Sequence, residues 1–108
     1  MANEGNVVAV VFAEVADEIL RAEAKFPGWP ADAVHAAAIV GEEAGELVRA
    51  ALDWNYGRHE KTDAMREEAL HTAATAVRFL INLYWATYYS DDTKHRELRE
   101  ELNDGKQD

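Results

Sequence analysis

Residues 68–83 read Glu68-Ala69-Leu70-His71-Thr72-Ala73-Ala74-Thr75-Ala76-Val77-Arg78-Phe79-Leu80-Ile81-Asn82-Leu83. At about 100° per residue, Glu68, His71, Thr75, Arg78 and Asn82 fall within an arc of roughly 80°. The rest of the stretch is nearly all apolar. A helix apolar over so much of its circumference is buried on several sides, which predicts a helical bundle. The polar arc has two readings: a solvent face or a pocket wall. Solvent faces usually fill with Lys, Glu and Gln. An acid, an imidazole, a hydroxyl, a guanidinium and an amide in line point instead to a pocket wall.

Outward from this stretch, the helix breakers divide the chain into blocks. A first helix is expected over residues 6–25, where Val8, Val11, Val15, Ile19 and Ala22 recur at helical spacing. It stops at Phe26-Pro27-Gly28-Trp29-Pro30, which holds both prolines of the chain. Asp32 is a good N-cap for a second helix running to Asn55, and Gly57 a plausible stop. Thr62 or Asp63 caps a third helix reaching towards Tyr89, and Ser90-Asp91-Asp92 breaks it. A short charged helix is expected over residues 93–102, with a frayed tail beyond. No segment alternates convincingly as a strand; the β-branched cluster near Val7 is interrupted by alanines and reads as helix. The expected fold is therefore all-α: three long helices plus a short C-terminal one, completed by oligomerisation. A lone chain would expose much of the apolar surface of the second and third helices, and a homodimer or homotetramer buries it most simply.

The 108 residues make one domain, 1–108. Lys and Arg number 11 against 21 Asp and Glu, a net charge of −10. That charge disfavours a nucleic-acid polymer or an anionic membrane as partner. It also obstructs any anionic ligand unless metal ions supply positive charge. The absence of Cys excludes disulfide scaffolds, thiolate zinc sites and cysteine nucleophiles. The longest apolar run, Val7 to Ala13, is far short of a membrane span, and its flank lacks the basic residues of a signal peptide. The expectation is a cytoplasmic protein.

The second helix carries a matching polar set. His35, Glu42, Glu46, Arg49 and Asp53 line one side, with Glu43 about 60° round from Glu46. Glu43 and Glu46 lie three apart, so their carboxylates can converge on one ion, and Glu68 and His71 share that spacing. Two such pairs on adjacent antiparallel helices would bring three carboxylates and an imidazole to one spot. Mg²⁺ suits carboxylate oxygens, and Mn²⁺ also tolerates imidazole. A lone Glu-x-x-Glu is a weak signal, since solvated helix surfaces are full of it.

Gly41-Glu42-Glu43-Ala44-Gly45-Glu46-Leu47 resembles the Glu-Glu-x-Gly-Glu-Leu signature of the MazG-like all-α nucleoside triphosphate pyrophosphohydrolases. That family carries Glu-x-x-Glu and then Glu-x-x-Asp on the next helix. Glu43 and Glu46 match the first pair, Glu68 matches the start of the second, and the resemblance covers roughly residues 25–83. His71 departs from it, standing where the family usually has Asp.

The resemblance implies metal-dependent cleavage of a nucleoside triphosphate between the α and β phosphates. Glu43, Glu46, Glu68 and His71 would hold Mg²⁺ or Mn²⁺, and Glu42 would orient the attacking water. Arg78 and Lys25 would meet the phosphates, although Lys25 reads slightly better as a solvated helix terminus. Trp29, in the loop before the motif helix, and Trp54, at its end, would offer planes to the base, and Asn82 an edge. His35 completes the expected substrate-binding set. For both tryptophans the alternative is core or interface packing. Tyr84, Trp85, Tyr88 and Tyr89 read as subunit interface.

Two other classes compete. A di-iron bundle needs a second Glu-x-x-His, for which Asp32-x-x-His35 and Asp92-x-x-His95 are imperfect substitutes. A non-enzymatic acidic interaction module would show no divalent-metal dependence at all.

Overall fold

The fold is known from a computed structural model, which describes residues 4–58, 61–84, 97, 100–102 and 104. It is all-helical, with no strand among the described residues: α1 (Glu4–Lys25), α2 (Ala33–Asn55) and α3 (Asp63–Tyr84), plus a short fourth helix near the C-terminus. α1 begins two residues earlier than its apolar spacing suggested, and the β-branched cluster after Asn6 is helical as read. The expected extension of α3 to Tyr89, the break at residues 90–92 and the aromatic cluster of Trp85, Tyr88 and Tyr89 lie outside the described residues.

The ends of α2 are built by the side chains that announced them. The Asp32 carboxylate accepts from the backbone N–H groups of Val34 and His35, each at 3.3 Å. Two of the first-turn donors that have no partner within the helix are thereby satisfied. Both oxygens of that carboxylate are engaged by the cap. At the other end Gly57 takes a φ of 74°. Its N–H donates to Trp54 O at 3.1 Å, and Arg58 N–H donates to Asp53 O at 2.9 Å. These two bonds form a Schellman closure, which needs a left-handed residue at the position of Gly57.

α3 is the central helix, packed on α2 along one side and on α1 along the other. The short connection 56–62 brings α3 back antiparallel to α2. α1 and α3 run parallel, because Glu14 pairs with Arg66, Glu18 with His71 and the Phe26 carbonyl with Arg78, in step along both chains.

The core is thin. Among the described residues the buried ones are Ala36, Ala50, Ala74 and Arg78, and no large side chain there is fully buried. On α2, Ala36, Glu43 and Ala50 repeat every seven residues, so they lie on nearly one line of the helix. The two alanines on that line are buried, so it is the line that faces inward. Glu43 sits midway between them.

Candidate functional site

The polar stripe of α3 is not a solvent face. Glu68, His71, Thr75 and Asn82 are half-buried and Arg78 is buried. Thr75 Oγ1 donates to the His71 carbonyl at 2.6 Å, and Asn82 Nδ2 donates to the Arg78 carbonyl at 2.8 Å. His71, Thr75 and Arg78 line a cavity of about 540 Å³, within the size range of small-ligand pockets.

At one end of that cavity stands an acid–imidazole cluster. His71 Nδ1 lies 3.5 Å from Glu68 Oε2 and 3.9 Å from Glu43 Oε2. His71 Nε2 lies 3.3 Å from Glu18 Oε1 and 3.9 Å from Glu67 Oε1. One ligand atom each from Glu43, Glu68 and His71 lie within 4.8 Å of one another. Two carboxylate charges that close repel by roughly 3 kcal/mol at an effective dielectric near 20, before solvent screening reduces it. A cation between them would reverse the sign of that interaction. Two oxygens and one imidazole nitrogen are a donor set that would suit Mg²⁺ or, better, Mn²⁺, provided the side chains close in to coordination distance.

The other end of the cavity is cationic and aromatic. Lys25 lines it from α1, Phe26 and Trp29 from the loop, while Arg21, one turn before Lys25, is bonded to Glu18 beside the acidic cluster. Lys25 Nζ lies 5.4 Å from the Phe26 ring centroid. Arg78 comes up from α3 beneath them. Its Nη2 donates to the Phe26 carbonyl at 2.7 Å, and its guanidinium carbon lies 5.1 Å from the Trp29 ring centroid. Its Nε is buried without a hydrogen-bond partner. The guanidinium expected to meet phosphates is thus committed to holding the Pro/Gly loop and backing the Trp29 ring.

The structure therefore brings together Glu43, Glu68, His71, Lys25, Trp29 and Arg78. It does not bring in Glu42, Glu46, His35 or Trp54, which are exposed on α2 and do not line the cavity. The reason is the inward line of Ala36, Glu43 and Ala50. Glu46 is about 60° and Glu42 about 100° away from it, on the solvent side. Trp54 lies roughly 30 Å along the α2 axis from the loop that carries Trp29. Asn82 spends its amide on the Arg78 carbonyl rather than presenting it to a base edge.

Sequence reasoning missed Glu18, Arg21, Phe26 and Glu67, all of which line the cavity. A signal existed for two of them: Glu18 and Arg21 share one face of α1 with Lys25, at spacings of three and four. No protein-family model, curated protein or solved structure matches this chain. Fold and site together define an all-α bundle with a carboxylate–imidazole cluster facing a cationic, aromatic cavity. No helix among the described residues is long and apolar enough to cross a membrane.

Proposed function

We propose that this chain is a divalent-metal-dependent nucleoside triphosphate pyrophosphohydrolase of the MazG-like kind. The observation that carries the reading is the polarity of the cavity between the acidic cluster and the loop at residues 26–30. Glu43 and His71 line one end, with Glu68 beside His71, and Lys25, Phe26 and Trp29 line the other. An anionic, metal-chelating chain of phosphates joined to a planar base matches both ends at once. Bound Mg²⁺ or Mn²⁺ would supply the positive charge that a −10 chain lacks, polarise the α-phosphoryl group and activate a water.

The chain's own residues do the rest. Glu43, Glu68 and His71 would hold the cation; Lys25 would neutralise the outer phosphates; Arg78 keeps the Trp29 ring in place for the base. The water oxygen bonds to the α phosphorus, and the bond to the α,β-bridging oxygen breaks. Pyrophosphate leaves, and the water proton passes to a carboxylate of the cluster. Incubation with a panel of nucleoside triphosphates tests this directly, with pyrophosphate and monophosphate as expected products.

The same reading includes a second copy of the chain. Val34, Ala38, Gly41, Gly45, Val48 and Leu52 are exposed and follow one another at alternating spacings of four and three along α2. That is the spacing of a helix–helix seam. No atom outside the helix lies within 4 Å of a Cβ placed on Gly41 or Gly45, so a second backbone has room to approach there.

A further inference from the structure

His71 presents its two ring nitrogens to different helices' carboxylates. Nδ1 faces Glu68 and Glu43, from α3 and α2. Nε2 faces Glu18 of α1 at 3.3 Å and Glu67 at 3.9 Å. Of these two, Glu18 is held in place by the fold: its side chain is 13% exposed, against 63% for Glu67. Its second oxygen accepts from Arg21 Nη2 at 2.5 Å. Glu18 therefore has one oxygen anchored on its own helix and the other aimed across to α3.

The geometry divides the labour around the ring. The cluster that fits a cation uses Glu43, Glu68 and one His71 nitrogen, and the nitrogen nearer those two carboxylates is Nδ1. A ring nitrogen that binds a metal cannot carry a proton, so Nε2 must keep it. Nε2–H then points at Glu18. A carboxylate accepting that proton fixes the tautomer and the ring plane, and makes the other nitrogen a stronger donor to a metal.

We infer that Glu18 is the positioning residue of the metal centre: it accepts the hydrogen bond from His71 Nε2–H and so turns Nδ1 towards Glu43 and Glu68. This rests on the metal-centre reading proposed above. It makes α1 part of the centre, although none of the ligands lies on that helix. The same contact joins Arg21, Glu18 and His71 in one chain of polar contacts.

The test uses the full chain, labelled with ¹⁵N, and long-range ¹H–¹⁵N correlation of its histidine rings. His71 is assigned by its loss in His71→Gln. Zn²⁺ is the diamagnetic probe for the ring, and Mn²⁺ affinity is measured by calorimetry. In the Zn²⁺-loaded wild type the expected tautomer has the proton on Nε2 and the metal on Nδ1. Glu18→Gln, whose amide oxygen still accepts, should keep that tautomer. Glu18→Ala should lose it and bind Mn²⁺ about 10- to 100-fold more weakly. A proton on Nδ1 in the loaded wild type overturns the inference. So does Glu18→Ala matching the wild type in tautomer and affinity. The wild-type spectrum decides even if Glu18→Ala does not fold. Metal binding with the His71 ring unperturbed retains a metal centre but removes Glu18 from it. Binding of neither ion by the wild type removes both.

Discussion

Arg78 Nη2 donates to the carbonyl of Phe26 at 2.7 Å, so a buried guanidinium on α3 holds the loop that opens the cavity. The same group backs the Trp29 ring. A hydrogen bond from a charged, buried donor is worth about 1.5–3 kcal/mol.

Arg78→Met keeps much of the volume but loses that bond and the stacking. It should lower stability by about 2 kcal/mol, on the order of 10 °C in Tm for a domain this size. The Trp29 contribution to fluorescence, isolated by comparison with Trp29→Phe, should shift to the red and become more quenchable. An unchanged Trp29 signal would mean that the loop holds itself.

Glu43→Gln and Glu68→Gln each remove one ligand charge at constant volume. Each should remove most of the Mn²⁺-induced rise in Tm, because a ligand of the native state stabilises by mass action. Glu46 lies one turn from Glu43 but outside the cluster, so Glu46→Gln should reduce that rise less than either. Thermal melts with and without 5–10 mM metal, on the order of many times a typical Kd, compare the three. An equal or larger loss in Glu46→Gln would place Glu46 among the ligands.

His71→Asp replaces a neutral ligand by a fourth close carboxylate beside Glu18, Glu43 and Glu68. Repulsion should destabilise the metal-free protein by about 1–2 kcal/mol after solvent screening. Mg²⁺ affinity should rise, and the advantage of Mn²⁺ over Mg²⁺ should shrink, since the nitrogen donor favoured Mn²⁺. Calorimetry with both ions reads the two affinities. An unaltered Mn²⁺/Mg²⁺ ratio would exclude His71 from direct coordination.

Val48→Lys places a charge in the middle of the exposed α2 seam without touching the cavity. Sedimentation at micromolar concentration should show the wild type as an oligomer and the variant as a largely dissociated, less stable chain. A wild-type monomer would contradict the seam.

The architecture was largely legible before the structure. Two prolines and a glycine at residues 26–30, Asp32 and Gly57 act locally, through missing N–H groups, a cap and a left-handed φ. Local physics of that kind survives in a linear chain. The α3 stripe was also legible, because residue types rather than periodicity marked it as a wall. Periodicity alone does not say which side of a helix faces inward. On α2 the conspicuous line of His35, Glu42 and Glu46 is exposed, and the inward one carries Glu43 between two alanines. Glu18 shares a face of α1 with Arg21 and Lys25, but that face does not name its partner: His71 lies 53 positions away, and the contact depends on the parallel docking of α1 on α3.

The most direct measurement follows the products of nucleoside triphosphate turnover by ³¹P NMR, with Mg²⁺ or Mn²⁺, for the wild type and Glu68→Gln. The expected result is metal-dependent appearance of nucleoside monophosphate and pyrophosphate together in equal amounts, abolished in Glu68→Gln. Release of orthophosphate with nucleoside diphosphate, or no turnover of any canonical or modified triphosphate with either metal, would contradict the assignment.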